Sequence, residues 1–339
     1  MMSSAAPLAQ GRGTAYCPSA RQGLTYHPAM DDPLISTGPE AALATGPLTL
    51  REKLAVGQFV VSVEIDPPVG LDARRAIRAA ALMKEAGADA VNVGDSPTAR
   101  VRMSPWALCL LIQREVGIET VMHYTTRDRN AMAIHSDMVG CHALGVRNVL
   151  CLRGDPPELG GYKDVIGVWD VSAVGLVRIL KLLNDGLDWT GRPIGRQASF
   201  FIGAACNPNA DPLGPEIRLM RRKVEAGAHF FVSQNVFDPD RLERFLEQAA
   251  PFKRPIIVGV LPLHSYEHAQ RLHREVPGMY IPEDVRERLR RAGPDAPQEG
   301  KAMAREVMEL CRGRAAGVYL VPTHGNYDLV AELVAEGKG

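Results

Sequence analysis

The chain has 339 residues, 46% of them hydrophobic, enough for one large core or two ordinary domains. Thirty-nine basic residues balance thirty-nine acidic ones with no Lys/Arg block, which excludes the electrostatic footprint of a nucleic-acid binder and points to small-molecule partners. The longest apolar runs, such as VVSV and SFFIGAA, are strand-sized, far short of the roughly 18 to 20 residues that span a bilayer, so no membrane segment is expected.

Residues 1–47 are rich in Ala, Gly, Pro and Ser and have no hydrophobic period, which predicts a flexible N-terminal arm. Asp31, Asp32 and Glu40 argue against a transit peptide. Six cysteines (Cys17, Cys109, Cys141, Cys151, Cys206 and Cys311) form no C-x-x-C pair and follow no signal peptide, so a reducing cytoplasm is expected, with most of them buried core thiols.

From Leu48 onward, short β-branched runs alternate with Ala/Leu/Arg-rich helical stretches. The strands are FVVSVEI, DAVNVGD, IETVMHYTT, RNVLCLRGD, QASFFIGAA, HFFVSQNVF, RPIIVGVLP and AGVYLVPT. A helical stretch follows each, and several end in Gly, as a helix C-cap should. This alternation predicts a (β/α)₈ TIM barrel over 48–339, with a helical insertion at 277–313 before strand eight. A doubly wound sheet would want a G-x-G-x-x-G turn after the first strand, where this chain has E-I-D-P-P-V-G.

In such a barrel chemistry sits where strands end. Strand one ends at Glu64 and Asp66, which share a face about 6 to 7 Å apart. The later strands end at Asp95 and Ser96, His123 and Thr125, Arg153 and Asp155, Asn207 and Asn209, Gln234 and Asn235, His264, and Thr323 and His324. The opposite ends are bland. Any one of these residues has a capping role as its plain alternative; the ring as a whole marks a site. His264 and His268 are spaced i, i+4 but lack a third ligand at metal-site spacing, so no metal is expected. A Schiff-base aldolase needs a desolvated lysine inside the barrel, and no strand end carries one. Lys223 falls near the end of its helix, where complementing the helix dipole is the expected role.

VEIDPP, MHYTTRDRN, ALGVRNVLCLRGDPP, RRKVEAGAHFFVSQNVFD and GVLPL, in this order and spacing, resemble the methylenetetrahydrofolate reductase family over about Leu48 to Glu336. The E-I-D-P-P form and the GVYLVPTHGNYDLV ending look most like the reductase half of the bifunctional homocysteine methyltransferase/methylenetetrahydrofolate reductase proteins. The resemblance implies a flavoprotein oxidoreductase of one-carbon metabolism and methionine biosynthesis. Such an enzyme uses FAD and NADH or NADPH to reduce 5,10-methylenetetrahydrofolate to 5-methyltetrahydrofolate. It implies Glu64 as general acid, Asp155 beside flavin and pterin, and Gln234 on the pterin. It further implies FAD contacts from His123, Arg153, Gly154 and Asp155, with Arg222 and Lys223 on the FAD phosphates. A homo-oligomer and a separate homocysteine methyltransferase are the expected protein partners.

The chain departs from the family at defined places. After strand five it reads ACNPNADP where many members have Tyr-Pro-Glu and His-Pro-Glu, so those FAD contacts do not carry over. His268 and Leu272 stand where the enterobacterial type has glutamine and phenylalanine, and the strand-two exit reads VGDSPTAR in place of a Thr-Tyr-Gly. Two rival readings therefore stay open: a flavin-free folate-binding partner of a separate methyltransferase, and a TIM-barrel lyase using the acid pair.

Overall fold

Strands buried on both faces read as near-continuous apolar runs, and eight such runs here become a parallel barrel. The computed structural model describes residues 47–338; the expected arm over 1–47 lies, apart from Pro47, outside the described residues, as do Cys17 and the His324 side chain. The strands are β1 (Val60–Ile65), β2 (Ala90–Val93), β3 (Thr120–Thr125), β4 (Asn148–Leu152), β5 (Phe201–Cys206), β6 (Phe230–Asn235), β7 (Ile256–Val260) and β8 (Gly317–Leu320). They close in chain order, β8 pairing parallel to β1 with Val60 opposite Gly317 and Val63 opposite Leu320. That closure requires Gly317: a Cβ there would stand 2.2 Å from the Val60 carbonyl oxygen.

Between and around the strands run α1 (Leu50–Ala55), α2 (Arg74–Glu85), α3 (Pro105–Glu115), α4 (Ala131–Ala143), α5 (Ala173–Asn184) and α6 (Gly214–Ala226). After them come α7 (Pro239–Ala249), α8 (Tyr266–Glu275), α9 (Glu283–Ala292), α10 (Ala296–Cys311) and α11 (Tyr327–Lys338). Their starts follow local chemistry. The side chains of Asn130, Ser172, Asp238 and Ser265 each accept a backbone N–H from the first turn of α4, α5, α7 and α8. Helix α6 ends at Gly227 with φ 116, a left-handed C-cap that glycine adopts without steric cost. Helices α9 and α10 form the predicted insertion and pack Leu289 and Met303 against Leu261 and Leu263 beyond β7.

Two apolar layers result. One fills the space between strands and helices; the other lies inside the barrel and includes Val60, Val121, Leu150, Phe201, Phe230 and Ile257. Leu50 and Leu54 of α1 join the inner layer and close the N-terminal end. This helix went unrecognised in the sequence, although Thr49 and Glu52 form a capping box.

Beside α1, the buried Asp89 accepts from the Val61 amide at 2.7 Å and from Lys53 Nζ at 2.9 Å, and also pairs with Lys338. Because Lys338 remains as a second cation, Lys53→Met is expected to cost only about 1 kcal/mol in urea unfolding. A loss of several kcal/mol would show that Lys338 does not hold Asp89 alone.

Candidate active site

Alternation inside the barrel selects which side chains reach its mouth. Val60, Ala90, Val121, Leu150 and Phe230 belong to the inner layer. By the period of two, inward positions one or two steps further along each strand bring Glu64, Asn92, His123, Leu152 and Gln234 to the C-terminal rim. Glu64 stands in register with Asn92 on the neighbouring strand. Tyr319 of β8 completes this rim beside His123, their ring centroids 6.0 Å apart.

Glu64 and Asp66 line one cavity of about 570 Å³ together with Arg75, Arg102 and Tyr327. Burial pushes the Glu64 carboxyl up to about 7, the Asp66 charge adds to that, and the Tyr319 hydroxyl donating to it works the other way. Tyr319 itself is held well above its ordinary range by burial and by the adjoining carboxylate, so it remains a donor. Gly94 keeps the space open on the other side: a Cβ there would stand 3.4 Å from Glu64 Oε1. Asp66 is exposed, its carboxyl raised by burial from below and lowered by Arg102, whose guanidinium lies 3.9 Å away. Arg75 is exposed at the cavity edge and makes no ion pair among the described residues. The arrangement is a protonated acid at a wall, a neutral donor behind it and two cations nearer solvent.

A second cavity of about 330 Å³ is lined by His123, Lys223, Gln234, Glu216 and Tyr319. Burial lowers His123 to about 4, against the pull of Asp95, so its ring is neutral and shares a 3.2 Å contact with the Asn92 amide. Gln234, which lines the cavity, accepts the Asn235 amide through its Oε1 at 3.0 Å.

Lys223 corrects the sequence reading. It does not complement the end of α6: its side chain is buried, and its ammonium donates to the Ala205 carbonyl at 2.6 Å within the barrel wall. Burial lowers its pKa, while Glu216 works to raise it. The reason is helical phase, since the position that falls late in α6 also falls on the face packed against β5. Arg222, one residue earlier, is exposed and lines neither mouth cavity, so the structure does not bring the two basic residues together.

The β4 residues divide in the same way. Arg153 is exposed, its guanidinium 4.7 Å over the Trp169 ring, whose indole N–H donates back to the Arg153 carbonyl at 3.1 Å. Gly154 adopts φ 83, with the Thr125 and Arg127 side chains so near that a Cβ would stand 2.9 Å from each. Asp155 accepts from the Thr98 backbone amide at 2.9 Å. Among the other strand-end residues, Asp95 is buried with Thr125 and Arg129, and the His264 and His268 rings stack 4.1 Å apart.

Asn92, Tyr319, Arg75 and Arg102 were not singled out in the sequence. Inward parity marks the first two, because each sits an even number of residues from an inner-layer side chain. The two arginines follow no strand period and carried no such signal.

The chain matches the family model described as methylenetetrahydrofolate reductase over residues 49–322. It is 25% identical over 215 residues, 60% of this chain, to "Probable methylenetetrahydrofolate reductase (NADPH)" of Caenorhabditis elegans. It is 26% identical over 258 residues, 68% of this chain, to "Methylenetetrahydrofolate reductase 2" of Schizosaccharomyces pombe. These matches span 30% and 37% of the relatives' own lengths, so the chain corresponds to about a third of each. Among solved structures, it superposes with a TM-score of 0.57 and 12% identity on an uncharacterized protein from Clostridium thermocellum that binds two copies of 5-methyl-5,6,7,8-tetrahydrofolic acid. That superposition covers 84% of this chain and 98% of the other, and it establishes a shared fold.

Proposed function

The chain belongs to the methylenetetrahydrofolate reductase family, and we propose that it reduces 5,10-methylenetetrahydrofolate to 5-methyltetrahydrofolate with NAD(P)H as the source of electrons. The observation that carries this reading is Glu64, an acid held protonated up to about pH 7 in the wall of a cavity large enough for a pterin. Opening the methylene bridge requires a proton on the departing N10 nitrogen, and Glu64 is the group placed to give it. Tyr319 then stabilises the carboxylate that remains.

Gln234, which lines the neighbouring cavity with His123 and Tyr319, is the proposed contact for the edge of a pterin seated against Glu64. The anionic glutamate tail of a folate suits Arg75 and Arg102 at the cavity edge. Arg75→Ala is accordingly expected to raise KM for the folate about tenfold with little change in kcat, the signature of lost uniform binding. A fall in kcat at unchanged KM would remove Arg75 from the tail site.

The direct test mixes the purified chain with NAD(P)H and 5,10-methylenetetrahydrofolate, with and without added FAD, and follows the 5-methyl product by mass spectrometry. No product under any combination overturns the reading. Lys223, a buried amine with a lowered pKa, keeps a Schiff-base lyase as a second reading. Borohydride trapping of a carbonyl substrate on Lys223 would favour it.

FAD, implied by the resemblance, meets a poor fit. Of the two basic residues assigned to its phosphates, Arg222 is exposed away from the mouth and the Lys223 ammonium is engaged by a backbone carbonyl. Arg153 is stacked on Trp169, and the Asp155 carboxylate that should face the isoalloxazine is held by Thr98. No step of the reaction is therefore routed through a flavin.

A further inference from the structure

The segment from Ser96 to Arg100, between β2 and α3, lies against the exit of β4. Three non-glycine residues in it adopt left-handed backbone conformations: Ser96 at φ 49, Thr98 at φ 54 and Ala99 at φ 57. Each such residue is strained and persists only where the surroundings over-determine it. The surroundings here do so. The Thr98 amide donates to Asp155 at 2.9 Å, the Arg127 guanidinium donates to the Ser96 carbonyl at 3.3 Å, and the Arg102 amide donates to Ser96 Oγ at 3.2 Å. Ala99 packs so closely on Gly160 that a Cβ on Gly160 would stand 2.0 Å from the Ala99 carbonyl oxygen. The segment is thus a built strap from β2 to β4, passing over the side of the mouth that holds Asp155.

The strap's Thr98 amide engages the Asp155 carboxylate; of the cations assigned to a diphosphate, Arg222 is exposed and lines neither mouth cavity, and the Lys223 ammonium donates to the Ala205 carbonyl. The mouth holds a space of about 570 Å³ lined by Glu64 and one of about 330 Å³ lined by His123 and Tyr319, and the Tyr319 hydroxyl that donates to Glu64 ties the two walls together. Each space lies in the range that takes a single small heteroaromatic ligand. A pterin against Glu64 and a dihydronicotinamide beside it would fill them.

We propose that this barrel works without a resident flavin, and that hydride passes directly from C4 of the dihydronicotinamide to the methylene carbon of the folate. This rests on the reduction proposed above. Glu64 gives its proton to N10 as the C–N10 bond breaks, leaving an N5-methylene iminium. The hydride, carrying two electrons, then forms the third C–H bond of the methyl group and leaves an oxidised nicotinamide. Glu64 recovers a proton from solvent, so one NAD(P)H and one proton are consumed per 5-methyltetrahydrofolate. The two reacting carbons must approach to about 3 to 3.5 Å, which requires both ligands to be bound together.

The experiment uses the full chain with NADH or NADPH carrying deuterium on one or the other face of C4, with and without added FAD. A hydride parked on flavin N5 exchanges with water before it is delivered, whereas a hydride passed directly cannot. The expected result is one deuterium per methyl group from one labelled face, a turnover rate unchanged by FAD, and intersecting initial-velocity lines in the two substrates. A 5-methyl product whose label has washed into solvent, parallel lines, or turnover that needs FAD would overturn the direct route while leaving the reduction standing. Failure to form the 5-methyl product under any condition would overturn both.

Discussion

Glu64→Gln is expected to lose about 10²- to 10⁴-fold in the turnover of methylenetetrahydrofolate while keeping its fold, because it removes the acid that protonates N10 and nothing that packs the barrel. Asp66→Asn should lose much less, since Asp66 is exposed and acts on the reaction by raising its neighbour. The pH dependence separates this from a structural defect. Glu64 titrates near 7, so wild-type kcat/KM should fall as the pH rises through that value, and the residual activity of Glu64→Gln should be flat there. Stability has the opposite diagnostic. The carboxyl is raised from 4.5 to about 7 in the folded protein, so its contribution is present below 4.5 and is lost as the pH rises through 7. Above pH 7 the wild-type fold carries a buried carboxylate that the glutamine variant does not, and Glu64→Gln should be at least as resistant to urea. A variant that is slow and also less stable at pH 8 would mean that Glu64 holds the fold.

The barrel was legible because its signals are periodic. Strands buried on both faces give unbroken apolar runs such as VVSVEI, and the helix C-cap glycines fall between runs. The acid pair was legible for the same reason: Glu64 continues the inward parity of Val60, and the prolines after Asp66 stop the strand at the mouth. Features that depend on helical phase against a neighbour were not. Lys223 reads as a last-turn cation in the linear sequence, and only the packing of α6 on β5 turns it inward. The strap left no trace either, because left-handed backbone is usually announced by glycine or asparagine, and Ser96, Thr98 and Ala99 are neither. Its conformation is imposed by Arg127, Asp155 and Gly160, which are distant in sequence from the residues they constrain.

Asp95, immediately before that strap, carries the largest stability effect expected from a single polar residue here. One carboxylate oxygen accepts from the Thr125 amide at 2.8 Å, from the Thr125 hydroxyl at 3.0 Å and from Arg129 at 2.7 Å. The carboxylate is only 3% exposed and the Arg129 side chain 16%, so water cannot replace the partner that is removed. Breaking one side of such a buried pair costs about 3 to 5 kcal/mol, because the charge left behind is desolvated without compensation. Asp137, 3.4 Å from Arg129 and accepting from the Tyr124 hydroxyl at 2.6 Å, offsets part of this and places Asp95→Ala toward the lower end. The decisive comparison is Asp95→Ala against Asp95→Ala/Arg129→Met in urea unfolding. If the stranded guanidinium is the main loss, the double variant should recover 1 kcal/mol or more of it, roughly the coupling seen between contacting residues. Losses that simply add would instead assign the effect to the Thr125 backbone amide, and with it to the end of β3 that Asp95 ties to the strap.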